Sequence, residues 1–168
     1  MRIRIVALVI AAATLAAPAG AVSADAGLDK DRPLRVSVDF DFAPIGLCAN
    51  GDVLFGMQGD GVASHLGRVD LAGSYCIAPE TGVISSGEGT YTAANGDEMT
   101  ITFDGLFITE EGTVTGGGTA VVTGGNGRFA SATGGYEWTG SGPIDPITFV
   151  GALSLDATGV IAYDASRG

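Results

Sequence analysis

The chain has 168 residues, 28 of them glycine, with 46% hydrophobic but only 16% charged side chains and a formal net charge of −11. The length suits one domain, and so many glycines exclude a helix bundle. The acidic excess repels phosphate backbones and anionic lipid headgroups, which argues against nucleic-acid and membrane-surface partners.

Residues 1–24 have the layout of a secretory signal peptide: Arg2 and Arg4, an apolar run from Ile5 to Ala17, a break at Pro18-Ala19-Gly20, and small residues in Val22-Ser23-Ala24 for signal peptidase. The apolar run is too short to stay in a bilayer as a spanning helix, and no cysteine stands at a lipoprotein-type cleavage point. The exported chain is therefore expected to begin near Asp25 and to be secreted, or periplasmic if the host has an outer membrane. Residues 25–33 are polar and aperiodic and read as a flexible lead, leaving 34–168 as one domain.

From Leu34 the pattern changes: Leu34, Val36, Val38, Phe40 and Phe42 alternate with Arg35, Ser37, Asp39 and Asp41, the signature of a half-buried strand that Pro44 is expected to end. Further strands are predicted at Val53 to Met57, Gly61 to Leu71, Gly87 to Ala93, Met99 to Ile108, Thr113 to Thr123, Gly135 to Thr139, and Ile147 to Leu155 followed by Val160 to Tyr163. About eight strands with short turns and no helical period mean a sandwich or a closed antiparallel barrel. A three-residue turn at Asn95-Gly96-Asp97 pairs Ala93 with Met99 and Tyr91 with Ile101. It gathers Tyr91, Ala93, Met99, Ile101 and Phe103 on one apolar face. Gly116-Gly117-Gly118 and Gly124-Gly125-Asn126-Gly127 lack the helix and lysine of a phosphate cradle and read as turns or bulges.

In an exported chain Cys48 and Cys76 are expected to form a disulfide, with two free buried thiols as the alternative. One histidine and two distant cysteines do not make a closed zinc site, so no metal is expected. His65, the only histidine, is the first place to look for a general base, yet a bond to a backbone carbonyl is the commoner use of such a residue. Asp39 and Asp41 share a strand face and could share a calcium ion, although with Arg35 beside them solvated charge on an outer wall fits better. Tyr136 and Trp138 point to one side of a strand, as core filling or as the wall of a ligand pocket.

The segment Gly124-Gly125-Asn126-Gly127-Arg128-Phe129-Ala130-Ser131-Ala132-Thr133-Gly134 resembles the Gly-Gly-x-Gly-[Arg/Lys]-Phe-x-x-Ala-x-Gly signature of the allene oxide cyclase barrel superfamily, which includes plant dirigent proteins. Its continuation to Tyr136-Glu137-Trp138 is similar in spacing to bacterial spirotetronate cyclases. Ser64 to Arg68 and Thr92 to Asp97 resemble segments of exported bacterial barrels of unassigned activity. The resemblance implies a single eight-stranded antiparallel β-barrel, with Phe129 plugging one end, Trp138 facing the lumen, and oligomers such as trimers open to it. No position matches the family's polar catalytic residues, so catalytic residues stay unassigned.

The function expected is binding of a small hydrophobic molecule in the lumen, without a cofactor, with Tyr91, Met99, Phe103, Tyr136 and Trp138 as lining candidates. The alternatives are a cofactor-free cyclase or isomerase acting on a small apolar substrate, and a purely structural barrel with a filled core.

Overall fold

The computed structural model describes residues 31–164. The expected signal segment 1–24 and most of the lead, 25–30, lie outside the described residues. Eight strands follow one another in chain order: β1 (Arg32–Leu47), β2 (Val53–Ala63), β3 (Gly67–Ile77), β4 (Val83–Ala93), β5 (Glu98–Glu110), β6 (Thr113–Gly125), β7 (Thr133–Pro143) and β8 (Gly151–Ala162). Each pairs antiparallel with its sequence neighbours, and β8 returns to β1, closing the barrel. The protein is thus the all-β, eight-stranded antiparallel barrel expected, and closure leaves no strand as an edge strand. A short 3-10 turn at Gly127–Phe129, between β6 and β7, is the one helical element among the described residues.

Period-two alternation decides what faces inward. Leu34, Val36, Val38, Phe40 and Phe42 of β1 are buried while Arg35, Ser37, Asp39 and Asp41 are exposed. Pro44, however, does not end the strand. Pairing of β1 with β8 stops at Phe42 opposite Gly151, whereas pairing with β2 runs on to Leu47 opposite Val53. Pro44 therefore sits on a one-sided stretch, beside a register shift between Pro44 and Gly46, where a missing N–H is tolerated.

The strand predicted over Gly61 to Leu71 is in fact two. β2 ends at Ala63, the chain turns through Ser64, His65 and Leu66, and β3 starts at Gly67; His65 (φ 73°) and Gly67 (φ 80°) supply the left-handed backbone that reverses it. Ile147, placed in a strand by its β-branched neighbourhood, is instead in the β7–β8 loop and 86% exposed. β8 begins at Gly151 and runs unbroken to Ala162.

In the β4–β5 hairpin the loop is three residues long, as expected, but it is Ala94-Asn95-Gly96. Ala93 N–H donates to the Asp97 carbonyl (2.8 Å), and Tyr91 pairs with Met99 and Gly89 with Ile101. Asn95 Oδ1 accepts from the Asp97 N–H (3.1 Å), an Asx turn that fixes the loop one residue earlier, and Gly96 takes its left-handed position (φ 87°). Because the summed register moves by two, every side chain keeps its predicted face.

Gly116-Gly117-Gly118 is a second correction. The three lie in regular pairing inside β6, opposite Phe107, Leu106 and Gly105, and form neither a turn nor a bulge. A Cβ on Gly116 would run into the Phe107 ring, so the bare backbone is the socket that lets this ring lie flat against the wall. Gly124 and Gly125 do follow directly on a register shift in the β5–β6 ladder, which falls between Val122 and Gly124, and have φ of 124° and 154°.

Candidate ligand site at the mouth of the barrel

The two ends of the barrel differ. At one end the β6–β7 connection folds inward. Phe129 is fully buried with its ring 4.8 Å from that of Tyr163, and Leu34, Leu66, Met99, Ala132 and Ile161 are buried with them. Asn126 pins this connection to β5: its Oδ1 accepts from the Glu98 N–H (2.7 Å) and its Nδ2 donates to Glu98 Oε2 (2.9 Å). Arg128 pairs with Asp97 at 2.9 Å, and the Arg32 guanidinium lies 4.7 Å above the Tyr163 ring. His65 belongs to this end too, its Nε2 donating to the Pro33 carbonyl (2.9 Å). Asp39 and Asp41 are exposed on the outer wall, where Asp39 accepts from Ser154 Oγ (2.5 Å).

The middle of the barrel is filled with aromatic rings. Phe55 stacks on Tyr75 (5.3 Å, 6°); Tyr75 meets Phe103 (6.1 Å) and Phe107 (5.8 Å); both of these meet Trp138 (6.4 and 5.7 Å). Tyr91 and Tyr136 share a hydrogen bond of 3.0 Å. The free space left among these rings is about 30 Å³, lined by Phe40, Tyr75, Tyr91, Phe103, Tyr136 and Trp138 among others. That volume holds one small polar group, not a ligand. Four of the five lining candidates, Tyr91, Phe103, Tyr136 and Trp138, border it. Met99 is fully buried toward the closed end and does not.

The larger space is at the other end. There Phe42, Phe55, Tyr75, Ile77, Phe107, Val114, Ile144 and Phe149 surround a bowl of about 400 Å³. This volume is within the range of small-molecule sites, about 300–1,000 Å³, which are predominantly apolar. Tyr75 and Phe107 border both spaces and form the floor of the bowl and the roof of the void below it.

The rim has a built geometry. The Cys48–Cys76 disulfide, which the structure forms as expected, ties the β1–β2 turn to the end of β3 with a Cα–Cα distance of 6.2 Å. In the β7–β8 loop the exposed Asp145 carboxylate accepts from the N–H groups of Ile147 (2.8 Å) and Thr148 (3.1 Å), and these bonds hold its pKa below the usual carboxylate value. Phe149 N–H donates to the Asp145 carbonyl (2.8 Å). This clamp holds Phe149 at φ 55°, uncommon for a side chain with a Cβ, and the ring is half exposed at the bowl.

The inner void is apolar, whereas the bowl is bordered also by Glu80, Thr81 and Thr109. Glu80 is the only charged residue bordering either, and no charged side chain is buried among the described residues. The ionisable groups inside are phenols. Burial pushes Tyr75, Tyr91 and Tyr136 above the usual phenol pKa, and the bond to Tyr91 adds to the rise for Tyr136, so all three are neutral at any working pH. No group of His, Cys, Asp and Glu that could hold a metal ion is found among the described residues.

This topology has a solved counterpart. The chain is similar to the pterocarpan synthase dirigent protein GePTS1, with 14% identity, a TM-score of 0.52, and coverage of 82% of this chain and 88% of that one. The fold is that of a dirigent-like barrel. No protein-family model matches the chain, and no curated protein sequence does. At this identity the likeness speaks for the dirigent-like architecture alone.

Sequence reasoning missed the bowl residues Phe42, Phe55, Tyr75, Phe107, Ile144 and Phe149. The alternation showed which of the strand residues face inward, but not at which height along the barrel they lie; the shear of the strands sets that. One signal was available: Phe107 lies four residues beyond Phe103 on one face of a strand, toward its far end.

Proposed function

We propose that this dirigent-like barrel is an exported protein that binds a small, neutral, apolar molecule in the bowl at its open end. The observation that carries the reading is the coincidence of volume and lining: about 400 Å³ of space walled mainly by aromatic and aliphatic side chains, with Glu80, Thr81 and Thr109 also bordering it. The loop reversal at Asp145 to Val150 places the Phe149 ring beside this space. The disulfide supports an oxidising compartment, which agrees with the signal-like first 24 residues. The lining offers shape and aromatic contact rather than an ionisable pair, which favours binding over acid–base turnover.

Calorimetric titration with 2-ethylnaphthalene, a rigid hydrocarbon of suitable size, tests the proposal. Binding of one molecule per chain with a dissociation constant on the order of 0.1 mM is expected for about a dozen apolar atoms. Absence of heat and of any spectral response up to the solubility limit of the probe would leave the protein a structural barrel. Recovery of a chemically altered naphthalene would instead favour an enzyme.

A further inference from the structure

The mouth of the bowl carries charge of one sign, and the residue that brings it there is held in place. Glu80 borders the bowl from the β3–β4 turn, where the Ala78 carbonyl accepts from the N–H groups of Thr81 (3.2 Å) and Gly82 (2.8 Å). The Gly82 carbonyl accepts from the Phe107 N–H (2.9 Å), which ties the turn to the wall of the bowl. Gly82 is left-handed (φ 72°), and a Cβ on it would run into the Phe107 carbonyl oxygen, so glycine is what lets the turn lie this close. Glu80 itself is exposed and has no hydrogen-bond or ion-pair partner among the described residues.

Nothing at this end offsets that carboxylate. No lysine, arginine or histidine borders the bowl. The other turns at this end, residues 48–52, 111–112 and 144–150, hold Asp52, Glu111 and Asp145 and no basic residue. Among the described residues Arg32, Arg35, His65, Arg68 and Arg128 are the basic ones, and all belong to the closed end: the start of β1, the β2–β3 turn with the start of β3, and the β6–β7 connection. Apolar walls around a concave space focus the field of such a charge, so it is felt more strongly there than on an open surface. The aromatic rings that border the bowl act in the same direction, because a cation gains over a ring face and an anion does not. An apolar body that ends in an ammonium group can keep that end hydrated at the rim, beside Glu80, while the rest fills the bowl. The same body ending in a carboxylate meets repulsion in the same position.

We infer that the mouth selects by charge: besides neutral apolar molecules, the bowl holds apolar amines in their ammonium form, with the cation at the rim beside Glu80, and turns away the corresponding carboxylates. This rests on the reading of the bowl as a ligand site and adds to it which charged end the site accepts.

Three probes of nearly equal size test it in calorimetric titrations at neutral pH and low salt: 2-(aminomethyl)naphthalene as its ammonium ion, 2-naphthoate, and 2-ethylnaphthalene as the neutral reference on each protein. The ammonium ion is expected to bind about tenfold more tightly than the naphthoate, the size of effect that one carboxylate roughly 5 Å away has on ions of opposite sign in water. Molar salt should narrow that ratio. Glu80→Gln should narrow it several-fold. Asp60→Asn, which removes the same charge from the exposed outer wall away from the bowl, should leave it within about twofold. Equal affinities for the two ions while 2-ethylnaphthalene binds would overturn the inference and leave the bowl blind to charge. So would a ratio that Glu80→Gln does not move, or one that both variants lower alike, since selection would then come from net charge and not from the mouth. If 2-ethylnaphthalene does not bind either, the bowl reading falls and this inference with it. Glu80 is an exposed turn residue, so its replacement leaves the packing of the barrel untouched.

Discussion

Phe149 is the residue at which stability and binding are expected to part. Its φ of 55° is disfavoured for any residue with a Cβ, and its ring is half exposed, so Phe149→Gly relieves strain and removes little buried area. The variant should melt at the same temperature or higher, by an amount equivalent to as much as about 1 kcal/mol, yet bind 2-ethylnaphthalene several-fold more weakly in calorimetry. Gly105 is the opposite case. A Cβ there would lie 2.6 Å from Trp138 Cζ2 and 2.5 Å from the Gly117 carbonyl oxygen, in a wall with no slack. Gly105→Ala should destabilise the barrel by about 1–3 kcal/mol, read as a lower midpoint in urea, with a shifted tryptophan emission because the indole must move.

At the scale of elements, the disulfide and the β7–β8 loop set the shape of the rim. Cys48 and Cys76 are 28 positions apart, and removing the bridge by a double change to alanine should cost about 3–4 kcal/mol on the loop-closure argument. Urea unfolding of the variant against the oxidised protein measures this; an unchanged midpoint would mean that the bridge holds only the local geometry of the rim. These elements also show what could be read from the residues in order. The nine-residue alternation of β1 named its buried face correctly, and the parity of the β4–β5 loop placed Tyr91 and Met99 inside although the pairing slipped. The Ser64-His65-Leu66 turn went unseen because its reversal is made by His65 at positive φ, a conformation that residue type rarely adopts. The glycines of β6 read as turns because their role is to make room for Phe107, a partner on another strand. The bowl was invisible for the same reason: its walls come from five of the eight strands and two loops, and only three-dimensional register brings them level.

For the whole molecule, the interior is neutral and most of the charge is on the outside. Tyr75, Tyr91 and Tyr136 have pKa values raised above the usual phenol value in the folded barrel, because burial penalises the phenolate. The unfolded chain would release the same protons near pH 10. Between that value and the raised folded values the unfolded state binds fewer protons, so the stability these groups lend is complete below about pH 10 and is lost as pH rises beyond it. Thermal melts should therefore fall away above about pH 10, and Tyr136→Phe should flatten the fall; an equal slope in the variant would mean that this phenol does not drive it.

The central claim is that the free space at the open end is a binding site, and the most direct measurement is the set of intermolecular nuclear Overhauser contacts made by bound 2-ethylnaphthalene. The account predicts contacts to the rings of Phe55, Phe107 and Phe149, which border the bowl, and none to Val121 or Val160, exposed apolar residues of β6 and β8 that do not border it. Contacts confined to Val121 and Val160, or their absence from the three rings at saturation, would contradict it.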